Sequence, residues 1–468
     1  MRSTVSLPQL APSPDFNGAG RVVQTAAPAR AVTLLQTVAD TAVMGAEWLR
    51  LERPTLRRTA RDRTGHHLAL FARALPPSSG VGVYRPLSFM RYGSARGWRF
   101  DAFCSEPPAT ESEHGDELLS RIPRETTLHV VPSPLREPSY RFFPRVDGGF
   151  TNALAYARYA IDTLASDPPD AVLASGPPFF TFVAALFVAR RFGVPLVLDY
   201  RDEWTECPFD FVTKDGDDLT WEKRCMAEAD AVLFVTRSIM EHQLRVFPEL
   251  DRERAHVVPN GWDPEDFGGT AREASPPPRA ESAILRVAHV GNLAGHTPPF
   301  EFLESLKQLV TDRPDWISRL KVTFMGRRSP SADAAIREFA YPEVLEVVDH
   351  VSKREAVRRM RESDVLLMLA APRLDRSLPT KLFDYLASRR PVLIFGSPGE
   401  SSALIDQLSA GELCPPGSAK ALGDALERQH HHDLSSQDEN VRAWLQEHRR
   451  DVLAARAFDT IESVMSRA

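Results

Sequence analysis

Short runs of branched and aromatic residues alternate along this chain with segments whose apolar positions recur at helical spacing. The runs HLALFARA (67–74), WRFDAFCS (98–105), TLHVVPS (127–133), DAVLASG (170–176), PLVLDY (195–200) and ADAVLFVT (229–236) have the length and branching of buried parallel strands. Helical patterns separate them, among them Leu87 to Gly97, Ala153 to Leu164, Phe179 to Phe192 and Ser238 to Phe247. HVVPNGWDPEDF adds a short strand and a turn at Asn260-Gly261. From Asp263 to about Ser282 the chain holds GG, PPP and mixed charges, and reads as an interdomain linker. The alternation then resumes with RVAHVGNL (286–293), KVTFMG (321–326), VLEVVDHV (344–351), DVLLMLA (364–370) and VLIFG (392–396). Strand and helix in alternation predict the α/β class, as two doubly wound domains joined by a linker.

Residues 1–64 stand apart from this pattern. The first thirty are rich in Pro, Ala, Ser and Gly and are expected to be mobile. Ala31 to Leu51 places Ala31, Leu34, Leu35, Val38, Ala42 and Leu49 on one helical face. A basic cluster follows, made of Arg53, Arg57, Arg58, Arg61 and Arg63. Such a helix packs on the main body or makes a peripheral contact with an anionic membrane surface.

Composition narrows the class. A chain of 468 residues, 43% hydrophobic and 26% charged, suits a soluble protein of about two or three domains. A net charge of -6 argues against a chain-wide nucleic-acid binder. The four cysteines form no C-x-x-C pair, so they offer no zinc or disulfide framework and fit a reducing, cytoplasmic compartment. There is no run of about 18 or more apolar residues, and no compact apolar leader is expected at the start. His430 to His432 are adjacent and share no helical face, which favours a solvated turn over a metal site.

Candidate chemistry gathers where strands end. In SLPTKLFDYLASRRPVLIFG, Ser377 is read as N-cap and Pro379 as part of the first helical turn, with Pro391 stopping the helix. A helix N-terminus can hold a phosphate, and Lys381 lies in that first turn with Asp384 one turn on. A cation for phosphate beside a carboxylate for sugar hydroxyls suits a sugar nucleotide. Gly80 and Gly82 let the backbone approach a ligand, but their G-x-G lacks the third glycine of a nicotinamide-binding fingerprint. Arg85, in the next helix's first turn, is placed to reach an anion. Asp202, just past a parallel strand's carboxyl end, is a candidate general base or hydroxyl-orienting group, with Arg201 to hold it or an anion.

In order, PPSSGVGVYR, SGPPFFT, VLDYRDEW, AEADAVLFVT, VVPNGWDPEDF, VGNLAGHTPPFEFL and LPTKLFDYLASRRPVLIFG resemble the GT-B glycosyltransferases, in particular the retaining group called family 4. The resemblance runs from about His67 to the C-terminus. It implies two Rossmann-like domains facing a cleft: an acceptor domain of residues 65–265 plus 441–466, and a donor-nucleotide domain of residues 283–440. It also implies a sugar-nucleotide donor, a saccharide, glycolipid or small-molecule acceptor, and no metal or other cofactor. By position, Lys381 and the N–H groups of Leu382 and Phe383 would meet the diphosphate. Asp384 would bind the ribose hydroxyls, and Gly82, Gly291 and Asn292 would lie along the phosphates. Gly326, Arg327 and Arg328 would approach base or phosphate, and Asp202 would face acceptor and donor sugar.

Three positions depart from the family pattern. Arg376 stands where the first glutamate of a paired-glutamate motif is expected, eight residues before Asp384, which itself replaces the second. The usual arginine and lysine of the loop after Gly291 are absent, leaving Asn292, His296 and Thr297. The function expected is sugar transfer in surface polysaccharide or glycolipid assembly. Natural-product glycosylation, sugar-nucleotide 2-epimerisation and a degenerate nucleotide-binding scaffold are the alternatives.

Overall fold

The computed structural model describes residues 21–24, 34–53, 65–106, 115–132, 143–214, 216–268, 284–295, 297–431 and 438–467. Arg57, Arg58, Arg61 and Arg63 of the basic cluster, most of the expected linker, His296 and His432 lie outside the described residues.

Two all-parallel sheets carry the fold. The first contains β1 (Arg21–Gln24), β2 (His66–Ala72), β3 (Trp98–Ser105), β4 (Thr126–Val131), β5 (Ala171–Gly176), β6 (Leu196–Tyr200), β7 (Ala231–Phe234) and β8 (Ala255–Val257), in spatial order 1-4-3-2-5-6-7-8. The second contains β9 (Leu285–Val290), β10 (Leu320–Met325), β11 (Leu345–Val348), β12 (Val365–Ala370), β13 (Val392–Gly396) and β14 (Gly411–Cys414), in order 11-10-9-12-13-14. Helices cover both faces of each sheet, so β5, β6 and β13 are buried along their whole length. That is why these strands read as unbroken hydrophobic runs rather than as alternating ones.

Two strands escape a reading of the pattern. β1 lies inside the segment expected to be mobile and pairs with β4 at the sheet edge. β14 begins at Gly411, just past the helix Glu400–Gln407. Their sequences, RVVQ and GELC, lack the longer unbroken run of apolar residues that marks strands such as β5 and β13.

The helix Leu34–Leu51 lies against the helix Phe150–Leu164. Trp48 meets Phe150 edge-on at 5.0 Å, Leu51 is buried, and Glu52 accepts from both terminal nitrogens of Arg224 at 2.7 and 2.6 Å. Hydrogen bonding to Arg224 pulls the Glu52 carboxyl down to about 2. At the other end, the helix Asp438–Glu447 stacks Trp444 on Phe383 of the second sheet's helix layer at 5.3 Å. The chain then crosses, and Phe458 of the helix Arg450–Arg467 packs against Trp98 of the first sheet at 5.3 Å.

Candidate active site

Between the carboxyl ends of the two sheets lies a cavity of about 1050 Å³. Its wall takes residues from the loops after β2, β5, β6, β7 and β8 on one side and after β9, β10 and β12 on the other. Parallel α/β sheets bind ligands at such edges, because strand ends and helix starts converge there.

Lys381 forms part of this wall. It belongs to the helix Thr380–Ala387, which begins later than the sequence suggests. Pro379 is the N-cap, with ψ of 143°, and Ser377 does not cap the helix. Pro379 itself takes an extended conformation rather than a helical one, so the helix starts at Thr380. The N–H of Leu382 is already given to the Pro379 carbonyl at 2.9 Å, so it is not the phosphate donor expected of it. Thr380 and Lys381 supply the first-turn N–H groups that have no intrahelical carbonyl. Leu382 and Phe383 are themselves fully buried. Among the described residues no hydrogen bond or ion pair engages the Lys381 ammonium, and burial pushes it down to about 8.

Gly291 lies directly against Lys381. A Cβ at residue 291 would stand 3.5 Å from both Cδ and Nζ of Lys381, and the residue's φ is +144°. Behind it, Gly326 (φ +131°) is so close that a Cβ would lie 2.6 Å from the Gly291 carbonyl oxygen. Gly326 is buried and shapes the Gly291 turn instead of lining the cavity, while Asn292 and Arg327 do line it. Arg328 is committed elsewhere: its guanidinium donates to Asp333 at 3.0 Å, Asp349 at 2.6 Å and the Gly326 carbonyl at 2.8 Å.

On the opposite wall, burial pushes the Asp202 carboxyl up to about 7, opposed by the Arg201 charge and reinforced by Glu203. Arg201 holds neither Asp202 nor an open anion site. It donates to the carbonyls of Gly82 at 3.0 Å, Gly176 at 3.2 Å and Pro177, tying three loops together. A Cβ on Gly82 would lie 2.3 Å from Arg201 Nη1, so only glycine admits this tie. Arg85 also lines the cavity, but its Nε donates to both oxygens of Asp199, at 2.8 and 3.0 Å, and Nη1 to the Pro259 carbonyl at 2.6 Å. Arg85 therefore braces the floor and is not available as expected to reach a phosphate.

Asp384 is not on the cavity wall. It is buried and paired with the Lys353 ammonium, which also stands 5.6 Å from the ring centre of the wall residue Tyr84. The Asp384 Oδ1 atom has no hydrogen-bond partner. Arg376, in the place of the expected acid, reaches across the cleft and donates to Glu203 from Nη2 at 2.8 Å and Nε at 3.2 Å. Sequence reasoning also missed His289. It is fully buried beneath Gly291, its Nδ1 donates to the Leu367 carbonyl at 3.1 Å, and desolvation with the Lys381 charge holds it well below the ordinary histidine range. Nothing in the strand pattern RVAHVG marks this histidine as different from a core residue. Among the described residues no group of three potential metal-ligating side chains occurs.

The family model described as a glycosyl transferase 4-like domain matches residues 79–261, most of the first sheet and its half of the cavity. The chain carries a glycosyl transferase 4-like region on a GT-B fold. Its fold is similar to that of a glycosyltransferase from Rickettsia africae (TM-score 0.63, 11% identity, covering 87% of this chain and 100% of that one). Sucrose-phosphate synthase from Thermosynechococcus elongatus is comparably similar (TM-score 0.64, 14% identity, 86% and 100% covered). So is Anabaena HepE, solved in complex with UDP and glucose (TM-score 0.59, 12% identity, 85% and 100% covered). At such identities the likeness establishes the fold of this chain, both sheets included. No curated protein sequence matches it.

Proposed function

We propose that the protein is a retaining glycosyltransferase that moves a sugar from a nucleotide-diphosphate donor to a hydroxyl acceptor without a metal ion. The observation that carries this reading is Lys381: an ammonium with no partner among the described residues, in a cavity wall, at the open end of a helix and against a glycine turn. The structural likeness to HepE, which binds UDP and UDP-glucose, supports a sugar-nucleotide donor. In the reaction the acceptor oxygen bonds to the anomeric carbon as the bond to the phosphate oxygen breaks. The electron pair leaves with the diphosphate, where Lys381 and the first-turn N–H groups stabilise it. The acceptor proton passes to a leaving phosphate oxygen on the same face, or to Asp202. The acceptor is a saccharide or glycolipid of surface polysaccharide assembly, with the enzyme cytoplasmic. Val43 and Leu49 stay exposed on the N-terminal helix and support a peripheral membrane contact.

A scaffold that binds nucleotide without turnover is the second reading, favoured by Asp384 being held by Lys353 and Arg376 by Glu203. K381A separates the two. A charge-assisted phosphate contact is worth about 1.5–3 kcal/mol, so the variant should bind UDP about 10–100-fold more weakly and lose turnover of the donor while its circular dichroism stays unchanged. UDP binding with no turnover of any sugar nucleotide by the wild type selects the scaffold. Unchanged UDP affinity in K381A removes Lys381 from the site.

A further inference from the structure

Large apolar side chains are placed in the water-facing wall of the cavity by two separate segments of the first domain. Val81, in the turn after Gly80, is 61% exposed, and Phe211, in the loop after β6, is 55% exposed. Phe211 stacks on Phe209 with ring centres 5.0 Å apart and planes at 16°, so the pair presents one flat face. This arrangement is held in place. The loop is anchored by the buried side chains of Cys207 and Val212, and Thr213 donates to Asp147 from its N–H at 2.9 Å and its hydroxyl at 3.1 Å. Asp147, buried, also accepts the Phe179 N–H at 2.8 Å, which fastens the loop to the segment after β5. A fixed loop that holds an aromatic ring out in a reaction cavity lacks the usual reason for apolar exposure, which is sparse single residues on an open surface.

We infer that the acceptor carries an apolar group, an aryl or alkyl aglycone, which lies against Phe211 and Val81 while its hydroxyl points toward Asp202. The polar wall residues on the other side, Lys381, Asn292 and Arg327, suit the donor, so the two substrates divide the cavity by polarity. Cavities that combine an apolar wall with a few polar groups bind amphiphiles by burying the first and orienting through the second. A bare saccharide would leave Phe211 and Val81 wet. The inference rests on the glycosyltransferase reading of the cavity.

Titrating the full chain with methyl, p-nitrophenyl and n-octyl β-glucosides, the last below its micellar concentration, tests it. The p-nitrophenyl or octyl compound is expected to bind at least about tenfold more tightly than the methyl one, and F211A to erase about a factor of ten of that preference. V81S should do the same to a smaller degree, which keeps the test alive should F211A misfold. Preference for the aryl compound identifies an aromatic aglycone and preference for octyl a lipid chain. Equal binding of all three, no binding of any, or an F211A preference equal to the wild type's overturns the inference. UDP titrated separately should be unaffected by F211A. Absence of UDP binding counts against the donor reading alone, because the glucoside preference does not depend on it.

Discussion

Two side chains set the pH behaviour expected of the site. Lys381 serves as a cation only while protonated, so the contribution it makes is present below about 8 and is lost as pH rises through that value. Asp202 accepts a proton only when ionised, so a base role is absent below about 7 and appears as pH rises through it. The kcat/KM for donor should therefore be a narrow bell between the two, with D202N flattening the acid limb and K381R moving the basic limb upward. Bound diphosphate favours the charged lysine, so the basic limb of kcat should lie above that of kcat/KM. A missing acid limb would remove Asp202 as base and leave the leaving phosphate as proton acceptor; a profile flat from about pH 6 to 9 would sink both roles. At this scale the sequence was half legible. Lys381 could be read from helix position, because the start of a helix after a proline is a local property. Asp384 could not, because its partner Lys353 lies 31 positions earlier, on a different helix, and nothing local reports such a pair.

Elements matter here mainly through two turns that hold each other. The Gly291 turn, with its φ of +144°, lies against Lys381, and Gly326 leaves room for the Gly291 carbonyl. Adding a methyl at residue 326 strains a φ of +131° and drives a Cβ into backbone that cannot swing aside. G326A should cost about 2 kcal/mol in chemical denaturation and also weaken UDP binding about tenfold, as the Gly291 turn shifts under Lys381. Gly268 supplies the control, since its φ is +89° with nothing within 4 Å of an added Cβ. G268A should show the strain, about 1 kcal/mol, and keep its UDP affinity. Equal UDP affinity in both variants would mean that the turn has no part in the site. Both glycines were legible as turn residues at strand ends. That one of them acts behind the other was not, because β9 and β10 are brought together only by the sheet.

Over the whole molecule, the alternation of strand and helix was enough for the α/β class in two domains, since burial on both sheet faces writes itself into unbroken hydrophobic runs, while GT-B came from the resemblance of the ordered motifs. How the cleft is held was invisible. Arg376 takes the buried Glu203 from across it, the Arg376 carbonyl accepts the Thr236 hydroxyl at 2.8 Å, and Glu400 accepts the Ser238 N–H at 3.1 Å. The partners follow strands of different sheets, so these contacts join the two domains. Arg376, in the place of the expected acid, thus ties one domain to the other. Glu203 has a side-chain exposure of 3% and without Arg376 keeps only the Gln243 amide at 3.3 Å and His242 at 3.8 Å, so its carboxylate is left short of a cation, and admitting water at the cleft is the simplest way to compensate it. R376A should lower stability by about 2 kcal/mol and the melting temperature by a few degrees, and should raise the radius of gyration measured by X-ray scattering without ligand. R376A/E203Q removes the uncompensated charge and should recover most of the melting temperature while the cleft stays open. If R376A scatters like the wild type and melts with it, the pair is idle and closure rests on the Ser238 and Thr236 contacts instead.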